Sequence, residues 1–372
     1  MSKATWRYFD WVLLLVVVAL IVLGEAMIYS GYEAAFAGSH TLWENTVFRQ
    51  GVFAVAGIVV FFIMAAIDYR LWQIMYRWIY IAILLMLGLT LAFGETSFGA
   101  TSWLPGELFG IQPSELCKIL VILVTAKLLG LEKEELESPL PFILSAAAIL
   151  PPAALIYAQS DFGTALMVMA TWAGMVFLSG VRWRHVLILP IVGTVAAPVI
   201  WFRMKDYMRD RVLMFLIPGY DPSGASYNIT QALISIGSGG WWGKGYRQGT
   251  QSQLLFLRVR HTDFIFSVLA EEFGFVGAIL TLALFAILIL RLLRIARLAR
   301  DNYGQLVVAG VVTMILVQTV INLGMNANLL PVTGLPLPLV SYGGSSLMST
   351  LIALGLAQSV ILRHKEPDNV LL

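Results

Sequence analysis

The chain has 372 residues, of which 59% are hydrophobic and 12% are charged. A soluble globular protein carries roughly 25% charged residues, so this chain lacks the polar surface that a soluble fold of its length exposes. A formal net charge of +2 gives no excess of positive charge for binding nucleic acid, and a single cysteine, Cys117, excludes an internal disulfide and a cysteine-rich metal site. The composition predicts a membrane protein, with much of its surface in contact with lipid.

Ten stretches of the chain are apolar and long enough to be membrane-spanning helices, since a span needs about 20 mostly apolar residues. They lie near residues 9–30, 50–67, 74–93, 113–130, 139–158, 163–180, 185–203, 263–290, 305–328 and 338–362. No small-residue cleavage site follows the first stretch, which indicates a retained helix. We expect an all-α, polytopic membrane protein with about ten transmembrane helices, and a single transmembrane domain over residues 1–372.

The distribution of Lys and Arg predicts the orientation of these helices. Most of the Lys and Arg residues next to the spans fall on the same side as the N-terminus, whereas the short loops on the other side hold only Arg49. Positively charged loops stay in the cytoplasm. Both termini are therefore predicted to lie inside, in a multi-pass protein of the cell membrane.

The connection between the seventh and eighth spans, residues 204–262, is much longer than the others. It begins with DYMRDRVLMFLI, charged first and apolar after, which is typical of a helix lying in the membrane interface. The stretch YNITQALISIGSGGWWGKG then predicts a short helix that ends in glycines. A large structured segment outside the membrane, in a chain otherwise made of tight loops, usually carries function.

Polar residues at the predicted outer helix ends are the candidate functional groups, because an ionisable residue at membrane depth costs at least about 2.5–3.5 kcal/mol on insertion scales. Glu115 and Lys118 share one helix face in QPSELCK, and an ion pair that braces two helices explains them equally well. Asp161 in QSDFGT precedes a helix, where it is also a preferred N-cap.

Two further polar stretches lie in the second half of the chain. His261-Thr262-Asp263 opens the eighth span, where Asp263 also has the alternative of an N-cap. PLPLVSYGGSS opens the last span with prolines, glycines and hydroxyls. Exposed amides and hydroxyls at a helix N-terminus suit an anion such as phosphate, and tight packing of the last helix is the alternative.

Five stretches, in this order, resemble the SEDS family (shape, elongation, division and sporulation). They are QPSELCK, QSDFGTA, ITQALISIGSGGWWGKG, HTDFIFSVLAEEFGFVG and NLGMNANLLPVTGLPLPLVSYGGSS. Within the family, GLPLPLVSYGG and EEFGFVG resemble the rod-shape (RodA-like) branch more than the division (FtsW-like) branch.

The resemblance implies a peptidoglycan glycosyltransferase with ten spanning helices in the bacterial cell membrane. Members polymerise lipid II, which is both donor and acceptor, into β-1,4-linked glycan strands during cell-wall elongation, together with a class B penicillin-binding protein. The resemblance also implies Asp263 as the essential carboxylate. The predicted substrate-binding residues are Trp103, Glu115, Lys118, Asp161, Gln231, Lys244, His261, Thr262, Ser341, Tyr342, Gly343, Gly344, Ser345 and Ser346.

This reaction fits the residue types. A sugar hydroxyl attacks C1 of another sugar and needs a general base, and we expect Asp263 to be the base or a metal-assisted base. Pyrophosphate leaves readily, so no paired acid is required, in contrast to glycoside hydrolysis. Positive charge near the phosphates is required instead, supplied by Lys244 and neighbouring cations or by Mg²⁺ or Mn²⁺ at Asp263. The rival hypothesis is a lipid II flippase, which needs a polar path reaching the cytoplasm.

Overall fold

The computed structural model describes residues 5–33, 45–97, 100–103, 112–132, 134–217, 220, 225–257 and 260–365. Within them the chain is helical. The α-helices are α1 (Trp11–Glu33), α2 (Thr46–Ala66), α3 (Tyr69–Phe93), α4 (Pro113–Leu129), α5 (Leu140–Ala158), α6 (Phe162–Leu178), α7 (Trp183–Val186), α8 (Ile188–Arg203), α9 (Asp206–Leu216), α10 (Ala225–Ser238), α11 (Thr250–Gln253), α12 (Ile265–Leu298), α13 (Asn302–Asn326) and α14 (Gly344–Leu362). The exception is an antiparallel hairpin between α3 and α4, formed by β1 (Glu95–Ser97) and β2 (Ala100–Trp103).

Each of the ten predicted spans contains a helix, which confirms the all-α prediction. Seven helices, namely α1, α2, α3, α5, α12, α13 and α14, are long and apolar enough to cross a membrane. Three shorter helices, α4, α6 and α8, with 17, 17 and 16 residues, occupy the remaining predicted spans. The count of about ten spans and the predicted orientation both stay predictions.

The last predicted span starts too early, because residues 338–343 form a turn and α14 begins at Gly344. The prolines at 336 and 338 have no backbone N–H to donate to a helix. Leu339 adopts a left-handed backbone conformation, with φ of +65°. Hydrophobicity alone did not separate this apolar turn from the helix that follows it.

The eighth predicted span is broken in the structure. α12 runs from Ile265 to Leu298, but Gly274 has φ of 66° and ψ of −162°, which no helix contains. A glycine turn, defined here as residues 239–245 between α10 and α11, fills the break. Phe275 N donates to Gly240 O at 2.9 Å, and Lys244 N donates to Glu271 O at 3.0 Å. The long segment between α8 and α12 is therefore hydrogen-bonded to the helix that carries Asp263 at its start.

The centre of the bundle consists of α4, α13 and α14. Their side chains are mostly buried, whereas α3 and the second half of α12 present apolar side chains outward. Cys117 of α4 is buried, as its apolar neighbours predict. This packing brings the start of α4 beside the start of α14 and the end of α13, and it positions the polar residues described next.

Candidate active site

The four polar stretches predicted from the sequence meet at one end of the bundle, which we call the Asp263 end. Gln112 N donates to Ser345 Oγ at 3.2 Å, and Gln112 Nε2 donates to Asp161 Oδ2 at 3.1 Å. Ser341 Oγ donates to Thr262 O at 2.6 Å. The starts of α4, α6, α12 and α14 are thus linked by direct hydrogen bonds.

Glu115 and Lys118 form the ion pair that their spacing predicts. Lys118 Nζ lies 2.7 Å from Glu115 Oε2, and both side chains are almost completely buried. Lys118 also donates to Gln318 Oε1 of α13 at 3.1 Å, and Ser349 of α14 donates to Glu115 at 2.8 Å. Since every partner is hydrogen-bonded, the pair connects three helices below the site without leaving a buried charge unpaired.

Asp161 caps α6, as its alternative interpretation predicts, because Thr164 N donates to Asp161 Oδ1 at 3.0 Å. Its second oxygen accepts the hydrogen bond from Gln112 described above. Burial raises the pKa of the Asp161 carboxyl above its usual range, and the nearby Glu115 carboxylate raises it further, whereas the hydrogen bonds from Thr164 and the charge of Lys118 oppose the shift. Asp161 therefore has a structural role and also belongs to the charged cluster below the site.

The turn before α14 packs directly on the loop that carries Asp263. Tyr342 N donates to His261 O at 3.0 Å, and the two rings are 5.9 Å apart in an edge-on arrangement. Gln50 of α2 donates to Ser341 O at 3.4 Å and accepts from Gly343 N at 3.2 Å. Because Gln50 takes up the Gly343 amide, that N–H is already satisfied within the protein.

Two asparagines of α13 hold the backbone of Asp263. Asn322 Nδ2 donates to Asp263 O at 3.1 Å and to Leu335 O at 2.8 Å, and Asn326 Nδ2 donates to Asp263 O at 2.9 Å. Asn326 Oδ1 accepts from the hydroxyl of Ser267 at 2.7 Å. Both amides are completely buried. They fix the bend that keeps Asp263 outside the first turn of α12.

The carboxylate of Asp263 is not a helix cap, since Phe264 holds the cap position of α12 and has no side-chain cap. It lies instead beside Arg211 of α9, with Gly334 between them. A Cβ placed on Gly334 would be 3.8 Å from Asp263 Oδ2 and 3.8 Å from Arg211 Nη1. The two charged groups thus flank one small space that a larger residue at position 334 would enter.

The environment of Asp263 favours a protonatable carboxyl. Burial raises its pKa to about 6, and Arg211 and a hydrogen bond from Thr262 oppose the shift without cancelling it. A pKa near the working pH suits a general base, because the group is ionised when the reaction starts and accepts a proton during it. Burial and the charge of Arg260 lower the pKa of His261, which favours neutral imidazole.

α9 holds Arg211 over the site. Lys205 Nζ donates to Ser160 Oγ at 2.5 Å, and Tyr207 OH donates to Ser160 O at 2.5 Å. The guanidinium of Arg211 lies over the ring of Tyr207, 5.9 Å from its centroid. These contacts tie α9 to the loop before α6, so the predicted interfacial helix also forms one wall of the site.

Among the remaining predicted substrate-binding residues, Lys244 lies away from Asp263. Lys244 Nζ is 2.8 Å from Glu271 Oε1 and donates to Thr250 Oγ1 at 2.8 Å, so it neutralises a buried carboxylate. Glu271 is roughly 12 Å along the chain from Asp263 at the helical rise of about 1.5 Å per residue. Gln231 is half-buried in α10. Trp103 ends β2, and its side chain is outside the described part of the structure.

The structure adds Arg211, Asn322 and Asn326 to the predicted site. Arg211 was one of many cations between residues 203 and 260. The two asparagines stand four residues apart in an otherwise apolar span, where two uncharged amides on one helix face are costly to bury. The four-residue spacing in an apolar span is the sequence feature that could have identified the two asparagines. A prediction based on charged groups does not include them, because neither residue is ionisable.

No group of three or more His, Cys, Asp or Glu side chains suited to a metal occurs among the residues with described positions. A cation at Asp263 would have one carboxylate from the protein. Mg²⁺ is commonly bound by one or two carboxylates, with substrate phosphates and water as its other ligands. The residues present therefore fit a cation that arrives with a phosphorylated substrate.

Comparison with known proteins places this geometry in a family. Residues 10–366 match the FtsW/RodA/SpoVE family model, described as cell cycle protein. The chain is 38% identical over 368 residues to the peptidoglycan glycosyltransferase MrdB of Escherichia coli K12, covering 98% of this chain and 97% of that one.

Two solved structures are similar over most of their length. One is a chain from a structure titled as the structural coordination of polymerization and crosslinking by a peptidoglycan synthase complex, with a TM-score of 0.81, 33% identity, and coverage of 96% of this chain and 99% of that chain. The other is the rod shape determining protein RodA of Thermus thermophilus, with a TM-score of 0.68, 32% identity, and coverage of 96% and 97%. The apolar helices together with these relatives indicate a multi-pass membrane protein, and the chain belongs to the FtsW/RodA/SpoVE family, the SEDS family that its motifs predict.

Proposed function

We propose that this protein is a peptidoglycan glycosyltransferase that polymerises lipid II into β-1,4-linked glycan strands during cell-wall elongation. The observation that carries the proposal is the Asp263 carboxylate, which lies outside the helix cap, next to Arg211, with a pKa of about 6. The names of the relatives support the substrate class, since MrdB is a peptidoglycan glycosyltransferase.

In the proposed reaction, Asp263 accepts the proton of the attacking sugar hydroxyl. At the same time the oxygen of that hydroxyl bonds to C1 of the donor sugar. The bond between C1 and the pyrophosphate oxygen breaks, and the polyprenyl pyrophosphate leaves with both bonding electrons. Attack opposite to the leaving group inverts the configuration at C1, so no covalent sugar–enzyme intermediate forms. Asp263 returns its proton to water after the product moves on.

Among the cations with described positions, we assign Arg211 to the leaving group. It shares the space beside Gly334 with Asp263, and positive charge aimed at a leaving pyrophosphate stabilises the charge that develops there. The sequence predicts Lys244 for this role, and in this proposal Lys244 acts on the site indirectly, through Glu271. In a metal-assisted form, Asp263 would hold Mg²⁺ or Mn²⁺, and the cation would supply further positive charge near the pyrophosphate.

The distribution of buried charge supports an enzyme over a flippase. The fully buried charged side chains of the described residues lie at the two ends of the bundle. Glu115, Lys118, Arg260, Glu271 and Glu272 are at the Asp263 end, and Asp10 and Arg363 are at the other end. A path that carries a pyrophosphate through the bundle would place cationic side chains between the two ends, where the described residues include no buried cation.

The test is polymerisation of lipid II by the purified chain in vesicles, comparing Asp263→Asn with Asp206→Asn. Asp206 is an exposed aspartate of α9 and serves as the matched control. We expect Asp263→Asn to lower the rate at least about 100-fold, the lower range for loss of a general base, and Asp206→Asn to keep it. Polymerisation by Asp263→Asn at the parental rate would refute the role of Asp263.

Two additions to the same assay separate the remaining alternatives. Movement of labelled lipid II across the vesicle membrane by Asp263→Asn, without polymer formation by the parent chain, would identify a flippase.

We also propose a class B penicillin-binding protein as the partner, because one similar chain comes from a peptidoglycan synthase complex. Adding such a partner, and separately a chelator, measures the contributions of partner and divalent cation.

A further inference from the structure

The glycine turn, residues 239–245, is attached to α12 more firmly than an ordinary surface loop. Besides the bonds at Phe275 and Lys244, Val276 N donates to Trp241 O at 3.2 Å, and Gly245 N donates to Glu272 O at 3.0 Å. The backbones approach so closely that a Cβ on Gly243 would lie 2.1 Å from Glu272 O. The height of the turn in the molecule is therefore set by residues 271–276 of α12.

Two tryptophans at this turn point away from the protein. The exposed fractions of Trp241 and Trp242 are 69% and 81%. The ring of Trp241 stands edge-on to Phe275, 5.1 Å away. Below it, α12 continues with exposed Val276, Ile279 and Leu280, so the tryptophans cap an outward-facing apolar strip.

Two polar contacts between α1 and α12 mark two levels along the axes of these helices. At one end Arg291 donates to Asp10 Oδ2 at 2.7 Å, and at the other Ser30 donates to Glu272 Oε1 at 2.5 Å. At about 1.5 Å per residue, α1 rises about 30 Å between these contacts and α12 about 28 Å. Both lengths match a bilayer hydrocarbon core of about 30 Å.

The glycine turn thus lies level with the edge of the hydrocarbon core at the Asp263 end. We propose that Trp241 and Trp242 form an anchor in the lipid leaflet at that end, at the boundary between acyl chains and headgroups. Tryptophan is enriched at this boundary because its ring is apolar and its indole N–H is polar. Continuity with the apolar strip of α12 favours lipid as the occupant over a soluble glycan or protein.

The anchor has a consequence for the active site, which rests on the proposed function. Asp263 is separated from Glu272 by about 13 Å along the chain at the helical rise of about 1.5 Å per residue. Since headgroup regions add about 5–8 Å on each side of the core, an anchored turn keeps Asp263 near the outer limit of the headgroups. A sugar attached to a membrane-embedded lipid pyrophosphate lies at that height.

The depth of the turn is testable without any activity. A nitroxide label at Trp242→Cys, in a Cys117→Ala background and in phosphatidylcholine vesicles, reports access to oxygen, which partitions into lipid, and to a water-soluble nickel chelate. Leu280→Cys on the apolar strip provides the lipid reference, and the exposed Asp206→Cys provides the aqueous reference. We expect the oxygen-to-nickel ratio at position 242 to lie between those at positions 280 and 206, and well above the ratio at 206.

A ratio equal to that at position 206 would overturn the anchor. Low access to both reagents, which a second copy covering the turn would cause, would also overturn it. The activity consequence has a separate readout, since Trp241→Glu with Trp242→Glu should reduce polymerisation in vesicles several-fold while Trp183→Glu, an exposed tryptophan at the other end, has a smaller effect. If the parent chain does not polymerise lipid II, only the proposed function fails, and the depth measurement still decides the anchor.

Discussion

At the scale of single residues, the ionisation of Asp263 gives the proposed mechanism a pH signature. Its pKa is raised to about 6, mainly by burial. A general base is active only when deprotonated, so kcat/KM should fall about tenfold per pH unit below 6 and level off above about 7. A pH–rate profile of lipid II polymerisation measures this limb, and a limb near pH 4 would contradict the raised pKa.

Replacing Arg211 tests whether the fall in rate at low pH comes from Asp263, because the charge of Arg211 lowers the pKa of Asp263. Replacing Arg211 with Gln removes that effect, so the acidic limb should move to higher pH in addition to any loss of rate. Arg209→Gln is the control on the same helix, since the Arg209 guanidinium donates to Trp201 O and Phe202 O. An unmoved limb in Arg211→Gln would show that the two groups do not interact.

The residues of the site were predictable from sequence where a charged group stands next to an apolar stretch, because burying such a group costs free energy. Glu115, Asp161 and Asp263 are acidic groups at the ends of apolar stretches, and all three belong to the linked cluster. Arg211 was not distinguishable from its neighbours, because its special position depends on Gly334, more than a hundred residues later. A contact between distant segments leaves no mark on the local pattern around either residue.

At the scale of elements, the helices were predictable because a lipid-embedded segment must satisfy its backbone internally over about 20 residues. The break in α12 was not. Gly274 lies in an apolar stretch that favours a continuous helix, and the groups that satisfy the broken hydrogen bonds belong to the glycine turn. The same long-range pairing explains why GSGGWWGKG contains so many glycines, which by themselves predict only a helix end.

Three glycines near this turn make a graded test of that pairing. A Cβ added at Gly237 would meet nothing within 4 Å, and the backbone angles of Gly237 are ordinary. Gly240 also has open space but has φ of +57°. Gly243 has φ of +77°, and a Cβ there would lie 2.1 Å from Glu272 O. Replacement by Ala should therefore be neutral or slightly stabilising at 237, destabilising by about 1–2 kcal/mol at 240 from backbone strain, and most destabilising at 243. Thermal unfolding of the detergent-solubilised variants gives the order. Equal midpoints for Gly240→Ala and Gly243→Ala would mean that the turn and α12 separate easily.

At the scale of the whole molecule, α1 and α12 are clamped at both ends. The Asp10–Arg291 pair closes one end, and contacts of Ser30 and Gly31 with Glu272 and Arg260 close the other. In the sequence, Arg291 is one of several closely spaced arginines that the positive-inside rule explains. Its partner could not be predicted, because Asp10 lies at the opposite end of the chain.

The clamp makes a prediction that separates stability from catalysis. The Asp10 side chain is 5% exposed and accepts from Arg291 through both oxygens. Arg291→Gln leaves that carboxylate buried without its partner, so it should destabilise the protein by about 3 kcal/mol. Arg182→Gln is the control, since its pair with Glu137 is largely exposed, and exposed pairs contribute less than about 1 kcal/mol.

Adding Asp10→Asn to Arg291→Gln removes the stranded charge and keeps an oxygen to accept from Leu13 N, so the double variant should recover part of the loss. Denaturant unfolding in detergent measures all three variants. The acidic limb of the pH–rate profile should stay in place in each of them, because the pair lies about 30 Å below the contact of Ser30 with Glu272. A shifted limb would mean that the clamp at the far end controls the surroundings of Asp263, and that the two ends of the bundle are coupled through α12 despite the break at Gly274.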